Sequence, residues 1–426
     1  MSANMQTSTG LPNSKPAPVD HAKQLATALL SERGEASGAQ VARELHHVLR
    51  ALDADDRHSF QRYLATEFQP DKAALRAAAE RYLADATAEA AAGLGQAADP
   101  PRQELLRRMN MAPGGTGALI AMRSEITAHL HGEPPLRLLD ADLRHLLASW
   151  FNRGFLELRR IDWQSPAAVL EKLIAYEAVH EIKGWDDLRR RLAPDRRCFA
   201  FFHPALPGEP LIFVEVALVQ GLATAMPPLL AREPNEEAAL AHAARADTAI
   251  FYSISNCQDG LRGISFGNFL IKQVVEELRA EFPQLKRFST LSPVPGFRRW
   301  LVQRLADGSD PDAALLPQLE RDGWWHDVAQ SEKLRPALMR LCGLYLTRQP
   351  SPGGRIDPVA RFHLGNGARL ERINWLGNAE HRAIQESFGI MVNYLYDHDS
   401  IEDNHEAFVR DGTIVRSPEV DTLLKA

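Results

Sequence analysis

The sequence predicts an α+β chain built from two domains, an all-α helical bundle followed by a mixed α/β domain. Three observations carry this prediction. The chain has 426 residues, more than one compact core usually organises. Its texture changes near Pro194, from helical periodicity to short runs rich in Phe, Val and Ile. Between residues 248 and 292 a strand-like run, a glycine-rich turn, a helical run and a second strand-like run follow one another.

The first twenty residues, "MSANMQTSTGLPNSKPAPVD", are polar, contain proline and lack an apolar stretch, so residues 1–20 are expected to be a disordered leader rather than a secretory signal. Residues 21–192 are expected to form the helical domain and to serve association. In "VARELHHVLRAL", Val41, Leu45, Val48, Leu49 and Leu52 recur at helical spacing. The alanine-rich "ALRAAAERYLADATAEAAAGL" favours helix by propensity alone, and "ADPP" ends it. "LDADLRHLLASWFNRGFLEL" and "SPAAVLEKLIAYEAVH" continue the pattern, the second opening with Ser-Pro at N-cap and first helical position. No strand is expected in this half.

Residues 193–426 are expected to form the catalytic α/β domain. "CFAFFH", "PLIFVEVAL" and "TAIFYSIS" read as strands, the first two joined around "PGE". "NFLIKQVVEELRAEF" reads as a helix with Phe269, Leu270, Val274 and Leu278 on one face, and "KRFSTLS" as the next strand. A polar helical stretch over 311–348, the loop "RQPSPGGRIDP" and two further strands, "ARLERINW" and "FGIMVNYLY", complete the chain.

Composition excludes several function classes. A net charge of −6, with no basic stripe interleaved with aromatics, gives no footprint for nucleic acid. Apolar runs are interrupted by Glu215, Gln220 and Gly221, so no segment reads as a membrane span. Cys198, Cys257 and Cys342 are widely spaced and odd in number, which fits a reducing compartment better than a disulfide framework or a zinc site. No HExxH or His/Cys ligand spacing appears, so no metal is expected.

Two places carry candidate chemistry. In "QDGLRGISFG", Gly260, Gly263 and Gly267 permit close backbone approach, and N–H groups opening a helix attract phosphate. Tight strand-to-helix packing explains the same glycines equally well. The spacing is neither GxGxxG nor a P-loop. It comes nearer to the pyrophosphate loop of GNAT-type acyltransferases, with Gln258 and Gly263 in frame and Leu261 where that loop has its first glycine. The second place combines Ser292, ending a strand before Pro293 and Pro295, with His363 in "FHLGNGARLERINW", just before a Gly-Asn-Gly turn. Ser292 has no G-x-S-x-G frame, so it is no hydrolase elbow.

Four blocks taken in order resemble the malonyl-CoA decarboxylase family: "WFNRGFLELRRIDWQSPAAVLEKLIAYEAVH", "RRCFAFFHPALPGEPLIFVEVAL", "FYSISNCQDGLRGISFGNFLIKQVVEELRAEFPQLKRFSTLSPVPGFRRWL" and "RFHLGNGARLERINW". Together they span roughly residues 145–395. The resemblance implies a GNAT-like C-terminal domain and conversion of malonyl-CoA to acetyl-CoA and CO2 within fatty acid metabolism. It implies Ser292 and His363 as the catalytic pair. It also implies a substrate-binding stretch from Arg262 through Gly263, Ile264, Ser265, Phe266 and Gly267 to Asn268. From the residues themselves, Gln258 and Gly260 of the glycine-rich turn are expected to flank that stretch, and Asn256, at the end of the strand "TAIFYSIS", to donate a further hydrogen bond. Family relatives carry a glutamate in "GVELG" where this chain has Ser265 in "GISFG". The resemblance further implies a homo-oligomer, expected to be a tetramer. The C-terminal "LLKA" is no peroxisomal signal, which favours a bacterial cytoplasmic form.

The expected chemistry needs neither metal nor organic cofactor, because the thioester carbonyl lies β to the departing carboxylate and accepts its electrons. Ser292 is expected to hydrogen-bond the malonyl carboxylate while His363 protonates the nascent carbanion, although the two roles could be exchanged. The alternative is a GNAT-type CoA-dependent acyltransferase, which would need an acceptor cleft and a base for an amine.

Overall fold

The computed structural model describes residues 17–177, 179–232, 235–264, 270–306, 308, 310–347 and 356–425. The chain divides into two compact units. The first comprises Met1–Asn152 with Pro204–Leu206 and Gln258–Ser265; the second comprises Arg153–His203, Pro207–Cys257 and Phe266–Ala426.

Among the described residues, eight α-helices build the first unit, from Pro18–Leu30 to Pro134–Trp150. Asp53, Asp71 and Thr87 each accept a backbone N–H at a helix start, at 2.8, 2.7 and 3.2 Å, which satisfies donors the helix cannot pair itself. Leu25, Leu29, Leu45, Leu64, Leu105, Ile126 and Leu147 fill its core. The alanine-rich pair Lys72–Ala84 and Ala88–Ala98 behaves differently. Ala78 is the one buried residue of the former and none is buried in the latter, so these helices rest on intrinsic propensity more than on burial.

Among the described residues, the second unit is organised around an eight-stranded sheet. Its strands are β1 (Glu157–Ile161), β2 (Arg196–Phe202), β3 (Pro210–Val219), β4 (Thr248–Asn256), β5 (Arg287–Thr290), β6 (Ser292–Pro293), β7 (Arg369–Asn374) and β8 (Met391–Tyr396). β1 to β4 pair antiparallel in chain order. β4 and β5 then pair in parallel, bridged by the Leu270–Glu281 helix, as a strand-helix-strand crossover requires. β8 runs antiparallel to its neighbours, taking β5 and then β6 along one edge and β7 along the other. β2 and β8 are buried at every position, the signature of strands covered on both faces.

Alternation of side chains along strands explains how the faces divide. On one face Ile250, Tyr252, Leu291 and Met391 share an apolar cluster with Met226 and Leu229. Thr290, Ser292, Tyr394 and Tyr396 alternate with Leu291 and Met391 and belong to the other. A bulge between β3 and β4 pairs Glu215 with Ser253 and Val216 with Phe251, leaving Tyr252 as the additional residue.

A helical first part followed by a mixed α/β sheet domain is what the sequence predicts. One correction concerns β1, which lies in a stretch expected to be helical throughout. Only Ile161 of β1 is buried, and Arg159 and Arg160 face outward, so this edge strand shows no apolar run by which to be recognised. His363 lies just before the Gly-Asn-Gly turn as expected, and there it occupies the last turn of a helix, Pro358–Gly365, that was not read from the sequence. All three cysteines are buried free thiols.

Candidate active site

Ser292 and His363, far apart in sequence, meet in the second unit. The Ser292 Oγ lies 3.1 Å from His363 Nε2, with Ser292 6 % and His363 3 % exposed. Each is placed by its own element. Ser292 is fixed by its pairing with Val392 across β6 and β8 and by Pro293, which restricts the serine backbone to extended geometry. His363 is carried by a helix that starts firmly, with Asp357 as N-cap and Pro358 at the first helical position.

Three residues that sequence reasoning did not single out complete the constellation. Thr290 stands two positions before Ser292 on the same face, and its Oγ1 accepts the Ser292 hydroxyl at 2.9 Å. The same oxygen accepts the Tyr394 backbone N–H at 3.1 Å. The Tyr394 ring stacks on the imidazole, with centroids 4.7 Å apart and planes 24° from parallel. The Tyr396 hydroxyl lies 2.7 Å from His363 Nδ1. The strand containing both tyrosines was legible as a strand, and two-residue alternation would have put them on one side; what they faced was not legible.

The network assigns a tautomer to His363. With the Ser292 proton directed at Thr290 Oγ1, Nε2–H donates to the Ser292 oxygen and Nδ1 accepts from the Tyr396 hydroxyl. Burial pushes the imidazole down from 6.5 to about 3, so it is neutral across the ordinary pH range. Burial likewise pushes both tyrosine hydroxyls up, keeping them protonated.

This arrangement is poorly suited to making serine a nucleophile. A Ser-His-Asp system uses a carboxylate on Nδ1 to stabilise the imidazolium that forms when serine is deprotonated. Here Nδ1 faces a neutral phenol. What the pair offers instead is a hydroxyl and an N–H held at fixed positions in a dry setting, where hydrogen bonds to a developing negative charge are strongest.

The glycine-rich turn belongs to the first unit. Gly260 is buried there, and a Cβ on it would fall 2.0 Å from the carbonyl oxygen of Ile120. Arg123, which pairs with Asp140 at 2.8 Å, donates to the carbonyl oxygens of Gly260 and Arg262 at 2.6 and 3.0 Å. Packing on the helix Gly115–His129 therefore accounts for the glycine at 260. Gly263 adopts φ +75°, the left-handed region that favours glycine. Gln258 is half-buried, Ile264 buried and Arg262 exposed beside Asp259 at 2.9 Å. Asn256 is exposed at the end of β4 in the second unit. Ser265, Phe266, Gly267 and Asn268 lie outside the described residues.

A family model for the malonyl-CoA decarboxylase C-terminal domain matches residues 154–426, and one for the N-terminal domain of the same family matches residues 68–151. The chain belongs to the malonyl-CoA decarboxylase family. It is accordingly a decarboxylase. The mitochondrial malonyl-CoA decarboxylase of Anser anser anser is 38 % identical over 351 residues, covering 75 % of this chain and 69 % of that protein. The crystal structure of malonyl-CoA decarboxylase from Rhodopseudomonas palustris superposes with a TM-score of 0.88 at 50 % identity, over 96 % of this chain and 100 % of that one. The structure from Agrobacterium vitis gives 0.87 at 48 % identity, over 95 % and 99 %. Both catalytic candidates of this family member fall within the region matched by the C-terminal domain.

Proposed function

We propose that this decarboxylase acts on malonyl-CoA, releasing CO2 and acetyl-CoA without metal or organic cofactor, and that Ser292 and His363 are the residues that act on the malonyl group. The observation that supports this reading is the buried contact of 3.1 Å between Ser292 Oγ and His363 Nε2, in a chain whose relatives are named malonyl-CoA decarboxylases.

The reaction needs the C–CO2 bond held in line with the thioester π system, the enolate oxygen stabilised and one proton delivered to carbon. The Ser292 hydroxyl turns from Thr290 to the malonyl carboxylate and fixes its orientation. The substrate's negative charge beside the imidazole raises its proton affinity from the low resting level, so His363 takes up one proton in the complex. The Tyr396 hydroxyl then turns from donor to acceptor for Nδ1–H, which a phenol can do without moving its ring. When the C–CO2 bond breaks, its electron pair passes into the thioester as an enolate. The enolate carbon takes the Nε2 proton, leaving a neutral imidazole protonated on Nδ1, and proton exchange with solvent after product release restores the resting Nε2–H tautomer. One proton enters and one carbon dioxide leaves per turnover. Acid catalysis of this kind contributes about 10²–10⁴-fold. Gln258, Gly260 and the stretch from Arg262 to Asn268, with Asn256, are proposed to contact the CoA portion.

Incubation with malonyl-CoA alone tests the reading: acetyl-CoA and CO2 should form in equal amounts with no acceptor present. Turnover that required an added amine would favour the acyltransferase alternative. A homotetramer in the bacterial cytoplasm, binding neither nucleic acid nor membrane, completes the proposal, and light scattering on the purified chain tests the subunit number.

A further inference from the structure

Resting on the Ser/His reading above, we propose that Asp357 is a positioning residue that sets the separation of Ser292 and His363. Asp357 is 2 % exposed, and its two carboxylate oxygens serve different elements. Oδ1 accepts the backbone N–H groups of Val359 and Ala360, at 3.0 and 3.2 Å, and so caps the helix whose last turn holds His363. Oδ2 accepts the backbone N–H of Gly296 at 3.2 Å and the Tyr345 hydroxyl at 3.1 Å. Gly296 lies in the turn that follows Ser292 and is the N-cap of the helix Phe297–Leu305. One buried carboxylate thus joins the segment carrying the serine to the helix carrying the histidine.

The surroundings leave this joint little freedom. A Cβ on Gly296 would lie 2.1 Å from the Tyr345 hydroxyl and 3.2 Å from Asp357 Oδ2, so the chain approaches the carboxylate as closely as it does because residue 296 is glycine. Pro358 restricts the backbone of Asp357 from the other side. Phe297, next to Gly296, packs against Tyr345 and Phe388, with ring centroids 5.8 Å apart in each pair, and fixes the far side of the same turn. No atom of Asp357 has to touch substrate for this to matter. Misplacement of a reacting group by about 1 Å can cost about 10²-fold in rate.

The chemistry of the joint selects the test. In Asp357→Asn one oxygen becomes an NH2 group. That group can face a helix N-terminus or the Gly296 N–H, and in either case a donor meets a donor on one side. Asp357→Ser keeps an acceptor for the helix cap but cannot reach Gly296. Both variants are measured as the full chain for kcat and KM with malonyl-CoA, for acetyl-CoA affinity, and for thermal unfolding. We expect kcat to fall by about 10- to 100-fold, with KM and acetyl-CoA affinity within about twofold of the parent, because the site still binds but the pair no longer meets. A folded variant with full kcat overturns the proposal. So does a loss of kcat matched by an equal loss of substrate binding, which would mark a merely structural role. Ser292→Ala, measured alongside, separates the two levels. Full turnover in Ser292→Ala sinks the Ser/His reading itself, whereas an inactive Ser292→Ala beside a fully active Asp357→Asn sinks only the role of Asp357.

Discussion

The burial of His363 makes a quantitative prediction about stability against pH. In the folded chain the imidazole is held near 3, against 6.5 when unburied. The folded state therefore resists a proton that the unfolded chain accepts readily below about pH 6.5. Stability from this residue is complete above pH 6.5 and is lost as pH falls, at about 1.4 kcal/mol per pH unit, until the folded group titrates near 3. Between pH 7.5 and pH 5.0 the loss amounts to about 2 kcal/mol. His363→Gln removes the titration while keeping a polar side chain, and it will lower stability at every pH through its poorer fit. What matters is the slope. Urea unfolding followed by tryptophan fluorescence, at pH 7.5 and pH 5.0, should show the parent losing about 2 kcal/mol more than the variant over this interval. Equal losses in the two proteins would refute a neutral, buried imidazole, and with it the tautomer assigned from the Tyr396 contact.

Two further outcomes follow from the same geometry. Tyr396→Phe leaves Nδ1 without its partner in both protonation states, so kcat for malonyl-CoA should fall by about 10- to 100-fold with the fold intact, as read from steady-state kinetics beside circular dichroism. Gly260→Ala forces a methyl group into the Ile120 carbonyl, and backbone cannot swing aside as a flexible side chain would. A loss of about 1–3 kcal/mol is expected, measured as a fall in thermal midpoint; an unchanged midpoint would show that the turn does not pack on Gly115–His129 as described.

Much of the fold was legible because periodicity and burial agree. Leu45 and Leu52 recur at helical spacing and are buried, and Leu270, Val274 and Leu278 form the inner face of their helix. β2, β3 and β4 read as strands because β-branched and aromatic residues run almost unbroken through them. β1 escaped because an edge strand needs only one buried side chain, and its arginines read as a solvated surface. The helix Pro358–Gly365 was missed although Asp357 and Pro358 form a recognisable start, because the loop read over "RQPSPGGRIDP" took in both residues. The candidate pair itself came from the family resemblance. Its setting did not, because Ser292 on β6, the tyrosines on β8 and His363 on its helix meet only through contacts between distant segments, and such contacts leave no local trace. Thr290, Tyr394 and Tyr396 gain their roles from those contacts, and each taken alone is an unremarkable strand residue.

Joint action of Ser292 and His363 on malonyl-CoA, in the absence of any acceptor, underlies the proposed reaction. Its most direct test is release of CO2 from malonyl-CoA labelled in the free carboxyl group, for the parent, Ser292→Ala and His363→Ala, each shown by circular dichroism to be folded. Acceptor-free release is expected from the parent, with a fall of about 10²-fold or more in both variants. Release at the parental rate by either folded variant would contradict it.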